Sequence, residues 1–94
     1  MRFEWDSKKA AANLKKHKVS FDEAVSVFAD PLASIFDDEA HSNAEPREII
    51  IGDSILNRIV LVCFTEMEPD VVRIITARLA TRREREDHEE NTNS

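Results

Sequence analysis

Val71-Val72-Arg73-Ile74-Ile75-Thr76-Ala77-Arg78-Leu79-Ala80-Thr81-Arg82-Arg83-Glu84-Arg85 changes character half-way along its length. Its first half is a β-branched run of the kind that forms a buried strand. Its second half, charged and interrupted only by Leu79 and Ala80, suits a helix with a solvated face. Arg73, Arg78, Arg82, Arg83 and Arg85 all fall within it. A rigid strand passing into a helix at a run of arginines holds guanidinium groups in a fixed array, the arrangement that suits phosphate recognition.

Upstream, Arg47 to Gly52 and Arg58 to Glu66 are two more apolar runs, separated by the turn residues Asp53 to Asn57. Met67 to Asp70 makes the next turn. Three strands joined by links this short pair antiparallel. Period-two alternation places Arg47, Ile49 and Ile51 on one face of the first, and Arg73, Ile75 and Ala77 together on the last. Leu32 to Phe36 is a further short strand. Cys63, the single cysteine, falls inside the central run and reads as a small apolar core residue.

At the other end, Phe3 and Trp5 alternate with Arg2 and Glu4 in a short strand that Asp6 closes. Asp6 is a helix N-cap, its carboxylate placed to accept free backbone N–H groups, and the helix runs to about His17. Ala10, Asn13, Leu14 and His17 share one face of it, with Lys8, Lys9, Lys15, Lys16 and Lys18 around them. An imidazole held among ammonium groups is a residue type suited to proton transfer. Ser20 and Glu23 have the spacing of a capping box for a second, core-packing helix that stops at Asp30-Pro31. The expected fold class is α+β, an antiparallel β-sheet in the order β-α-α-β-β-β-β-α with the first two helices on one side. Residues 1–90 form the single domain and residues 91–94 a disordered polar tail.

Composition narrows the function classes. Ninety-four residues with 41% hydrophobic content and one glycine make one compact domain. One cysteine excludes an internal disulfide framework and fits a reducing cytoplasm. No apolar run has the ~20 residues of a membrane span. The net charge of −6 is unevenly spread: residues 37–48 and 84–94 each hold five acids and one arginine, leaving the remainder net positive. A basic face is therefore compatible with an acidic chain. Asp37, Asp38, Glu39 and His41 match neither a calcium loop nor a zinc helix, so no metal or other cofactor is expected.

Several segments together resemble the BrnT-type toxins. Phe3-x-Trp5-Asp6, Lys9-x-x-x-Asn13-x-x-Lys16-His17-x-Val19-x-Phe21-x-Glu23-Ala24, Asp30-Pro31, His41-Ser42, Glu45-x-Arg47, Ile51-Gly52 and Arg73-Ile74-Ile75-Thr76-Ala77-Arg78-x-Ala80-Thr81-x-x-Glu84-Arg85 carry the likeness, from residue 3 to about 89. The resemblance implies a RelE-like small ribonuclease fold and the toxin role of a bacterial type II toxin–antitoxin pair. It implies a metal-independent endoribonuclease that cleaves RNA and inhibits translation and growth. The implied partner is a ribbon-helix-helix (BrnA-like) antitoxin, through which operator DNA is contacted indirectly. The alternative is a catalytically weak member that serves as an antitoxin-binding co-repressor module.

On this resemblance His17 is the acid or base, Lys16 a neighbour that either holds a phosphate or tunes His17, Arg78 the cation for the transition state and Arg73 a second such cation. Lys15, Arg47, Arg82 and Arg83 are the expected RNA contacts. The chain departs from the family at Lys18, where glycine is usual after the Lys-His pair. It departs again at Phe64, Met67, Glu86 and His88, the last standing where a tyrosine is expected.

Overall fold

The computed structural model describes residues 1–39 and 46–93; residues 40–45, His41 among them, and residue 94 lie outside these. In chain order the elements are β1 (Arg2–Glu4), α1 (Ser7–His17), α2 (Phe21–Val27), β2 (Ser34–Asp37), β3 (Glu48–Asp53), β4 (Ile59–Glu68), β5 (Val71–Leu79) and α3 (Arg82–Asn93). The five strands form one sheet in the spatial order β1-β5-β4-β3-β2. β2 to β5 pair antiparallel, β3 to β5 through the short turns that favour such pairing. The sheet as a whole is not antiparallel, however. β1 lies parallel to β5, with Arg2 opposite Val71 and Glu4 opposite Arg73. Everything between them in sequence serves as the crossover that a parallel pair needs, and no local signal in Arg2–Glu4 reveals that partner.

α1 and α2 cover one face of the sheet. Phe21, Ala24 and Val27 of α2 meet Ile50, Val60, Val62, Phe64, Val72, Ile74 and Ala77 in one core. Phe28 joins it through ring contacts with Phe3 and Phe64, both at 5.0 Å. The face assignment for β5 needs correction. Cys63 pairs with Thr76 but Phe64 pairs with Ile74, so Ile75 is an extra residue, a β-bulge. The bulge reverses the alternation. Ala77 turns inward with Ile74 and Val72, whereas Arg73, Thr76 and Arg78 share the opposite face with their β4 partners Thr65, Cys63 and Leu61.

Local chemistry explains the helix ends. Asp6 accepts from the N–H groups of Lys8 and Lys9 at 2.8 and 3.1 Å, capping α1. α1 terminates in a left-handed residue, Lys18, with φ 60° and its N–H donating to the Leu14 carbonyl. The helix therefore ends as a glycine-capped one does, with a lysine carrying the Cβ strain. Lys18→Gly is expected to stabilise the fold by about 0.5–1 kcal/mol, read as a rise in Tm; an unchanged or lower Tm would show that the lysine is unstrained there.

Ser20 caps α2 by accepting from the Glu23 N–H at 2.9 Å. Glu23 does not complete the box, because its carboxylate is drawn away to Ser54 and Arg58. The reciprocal box occurs instead at α3: the Thr81 N–H donates to Glu84 and the Glu84 N–H to Thr81 Oγ1, at 2.8 and 3.2 Å. α3 runs from Arg82 to Asn93.

Gly52, the sole glycine, marks a close approach. A Cβ there would fall 2.7 Å from the Asp30 carboxylate and 2.9 Å from the Ala33 Cβ. That carboxylate accepts from the N–H groups of Leu32 and Asp53, tying the end of α2 to β3. Asp30 and Gly52 thus serve the scaffold.

Candidate functional site

β1 stops at Glu4, leaving the outer edge of β5 unpaired by strand beyond Arg73. Asn13 fills that gap. Its side-chain oxygen accepts from the Ala77 N–H at 3.1 Å, and its amide nitrogen donates to the Ala77 carbonyl at 2.7 Å and the Val19 carbonyl at 2.9 Å. One buried amide therefore imitates a strand against Ala77 and fastens the last two turns of α1 to the sheet edge.

The consequence is a cavity of about 360 Å³ where the end of α1 meets β5. Lys9, Lys16 and His17 line it from the helix, with Arg47 and Thr76 from the sheet and Asn13 in its wall. Among the described residues that line it, the half-buried His17 is the only imidazole and none is acidic. Arg47 reaches the cavity from a tethered segment: its carbonyl accepts from the Asp38 N–H at 2.9 Å, and Thr65 Oγ1 donates to the neighbouring Pro46 carbonyl at 2.7 Å. Two ammonium groups, a guanidinium and an imidazole lining one pocket favour an anion and supply one group able to carry a proton.

The other expected site residues are dispersed. Arg73 is bound by Glu4 through Nε at 3.0 Å and a terminal nitrogen at 2.7 Å. It lines a second cavity, which shares Lys9 and Ile75 with the first. Arg78 does not line the His17 cavity. It makes a two-pronged contact with Glu84, at 2.8 and 3.0 Å, locking the end of β5 to the first turn of α3. That contact, aided by the Thr81 N–H, outweighs burial and holds the Glu84 carboxyl down to about 2. Lys15 and Arg83 are exposed and line none of these cavities, and Arg82 is exposed and paired with Glu86 at 3.1 Å. Arg82 opens onto a separate cleft of about 630 Å³ with Arg58 and Arg85.

Three polar residues of the cavity were not among the expected site residues: Lys9, Asn13 and Thr76. Lys9, Asn13 and Lys16 repeat at i, i+4 and i+7, a helical spacing that marks one face. Nothing local marks Thr76, whose direction depends on the bulge at Ile75.

Cys63 offers no thiolate nucleophile. Burial, reinforced by Asp38 with its oxygen 3.7 Å from the sulfur, pushes the thiol up to about 11. Among the described residues no group of three or more His, Cys, Asp or Glu side chains is placed to hold a metal ion. No helix there is long and apolar enough to cross a membrane.

Comparison with known proteins adds the family. The sequence model for "Ribonuclease toxin, BrnT, of type II toxin-antitoxin system" matches residues 5–84. No curated protein matches the chain. Among solved structures, the Brucella abortus ribonuclease toxin BrnT is similar, with a TM-score of 0.67 at 24% identity over 87% of this chain and 99% of that one. At that identity the likeness shows a shared fold. The match through α1, the meander and the β5–α3 junction settles the kinship: this chain belongs to the BrnT family of ribonuclease toxins of type II toxin–antitoxin systems.

Proposed function

We infer that the chain is a metal-independent endoribonuclease that cuts RNA in the cavity between α1 and β5. One observation carries this reading: Lys16, His17 and Arg47 converge there, with no carboxylate among the described lining residues. In the proposed reaction the 2′-oxygen attacks the adjacent phosphorus while the bond to the 5′-oxygen breaks. His17 takes the 2′-hydroxyl proton, a water protonates the departing 5′-oxygen, and the product strand ends in a cyclic phosphate. Lys16 and Arg47, with Lys9 at the rim, balance charge gathering on the non-bridging oxygens. In this reading Arg78 braces the fold through Glu84, and Arg82 and Arg83 make outlying contacts with the RNA backbone. The setting is the cytoplasm, where RNA cleavage halts translation until a protein antitoxin of the ribbon-helix-helix class binds.

The test is cleavage of a defined RNA by the purified chain in the presence of EDTA. His17→Ala is expected to lower the rate about 10²- to 10⁴-fold with an unchanged Tm. Undiminished cutting by that variant, or loss of wild-type cutting on chelation, sinks the mechanism. A specific observation favours a second reading, a binding module without cleavage. Arg73 and Arg78, the two arginines of the β5 motif, are both engaged by carboxylates, Glu4 and Glu84. Wild-type protein that binds its antitoxin tightly yet leaves RNA intact would establish that alternative.

A further inference from the structure

The cavity beside the His17 site has a different chemistry. It measures about 270 Å³ and is lined by Glu4, Trp5, Asp6, Lys9, Arg73 and the Ile74–Ile75 bulge. Lys9 and Ile75 line both cavities, so the two adjoin along the β5 edge. The His17 end is lined by Lys9, Lys16, His17 and Arg47, and among the described residues no acid joins them, which suits a phosphate. At the Trp5 end, cations are matched by carboxylates: Glu4 is bound to Arg73, and Asp6 caps α1. An anion gains little there.

An aromatic ring and a fixed donor–acceptor pair are what that end offers. Trp5 is half-buried, with its ring at 81° to Phe21 and the centroids 5.9 Å apart. Its indole N–H makes no hydrogen bond among the described residues. Arg73 and Glu4 lie side by side in register on β5 and β1, their guanidinium and carboxylate joined. The pair presents donors and an acceptor together, as the edge of a nucleobase requires. The volume lies just below the ~300–1,000 Å³ of drug-sized ligand sites, which suits a single base.

We propose that the Trp5–Arg73–Glu4 cavity is a nucleobase subsite, which seats one base of a single-stranded RNA while the neighbouring phosphate lies among Lys9, Lys16 and Arg47. The subsite rests on the reading of the adjoining cavity as the RNA site, and it adds the base-recognising half. Trp5 is the stacking surface, since base–aromatic stacking tolerates any base. The Arg73–Glu4 pair supplies whatever base preference the subsite has.

Trp5 is the only tryptophan in the chain, so its fluorescence reports on this cavity alone. The experiment titrates the full-length His17→Ala protein with a short mixed-sequence oligoribonucleotide, and separately with tripolyphosphate. The oligoribonucleotide is expected to quench Trp5 emission, and tripolyphosphate to bind with little quenching. Adding Trp5→Leu should weaken oligoribonucleotide affinity by about 5- to 150-fold, while Trp5→Phe retains most of it and tripolyphosphate binding is unchanged. Oligoribonucleotide binding that leaves Trp5 emission unaltered overturns the subsite, as does equal quenching by tripolyphosphate. The quenching result needs no folded Trp5 variant. Quenching without cleavage by the wild-type chain would sink the ribonuclease reading and leave the subsite standing; cleavage without quenching would do the reverse.

Discussion

Asn13→Ala is expected to lower stability by at least about 3 kcal/mol, since it strands the Val19 carbonyl and both backbone groups of Ala77 in a buried setting. For a domain of this size the corresponding fall in Tm is about 12–24 °C. No residue other than an amide reproduces the pattern. Asn13→Asp keeps the shape but places a carboxylate against two carbonyl oxygens. Burial and that repulsion raise its folded pKa above the unfolded value. The Asp variant is therefore most stable in acid and loses stability as pH rises through the folded pKa. Thermal unfolding of both variants across pH provides the check; an Asn13→Ala protein within about 1 kcal/mol of wild type would refute the role of Asn13 as a strand substitute. Function should follow structure here. Releasing α1 from Ala77 separates Lys16 and His17 from Arg47 and Thr76, so cleavage is expected to fall even where the variant remains folded.

Arg58→Met is the second large effect, and its signature is pH dependence. Glu23 has a side chain only 3% exposed, and accepts from Ser54 Oγ at 2.6 Å and Arg58 Nε at 2.9 Å. Arg58 also donates to the Lys18 carbonyl at 3.0 Å, so it joins α2 and the β3–β4 hairpin to the end of α1. The Arg58 contact outweighs the cost of burial and holds the Glu23 carboxyl below its usual range. A depressed carboxyl contributes stability above its unfolded pKa and loses it as pH falls through the folded one.

Without Arg58 the sign reverses. Burial then dominates, the carboxyl titrates above its unfolded value, and the variant loses stability as pH rises. The expected result is a Tm lower by at least about 10 °C at pH 7. The gap should narrow toward about pH 4, where the lone carboxyl accepts a proton. A gap independent of pH would mean that Glu23 is not left charged and buried. Glu23→Met/Arg58→Met should recover much of the loss, because a buried ion pair replaced by apolar groups of similar volume is often neutral in stability.

Much of the architecture was legible because its causes are local. The Asp6 cap and the helix to His17 follow from residues within a few positions of each other. The meander from β3 to β5 follows from three apolar runs joined by short turns. Lys16, His17 and Arg47 were named from the sequence and do share a cavity. Arg78 was named beside them and lies elsewhere, braced by Glu84, because its direction is set by its opposite number Leu61 on β4 and by the first turn of α3. Glu23 had the spacing of a capping box, yet a cation 35 residues away takes its carboxylate.

The sequence by itself determined where helices and strands form, where they stop, and which chemistry gathers on α1, since these depend on period, caps and turns. Tertiary structure alone decided that β1 runs parallel to β5, and that one extra residue at Ile75 turns Arg73, Thr76 and Arg78 to the face opposite the core. It also decided that Asn13 takes the place of a missing strand. Each of these turns on hydrogen bonds between groups distant in the chain. Their energies are comparable to any local preference, but their partners exist only once the sheet has closed.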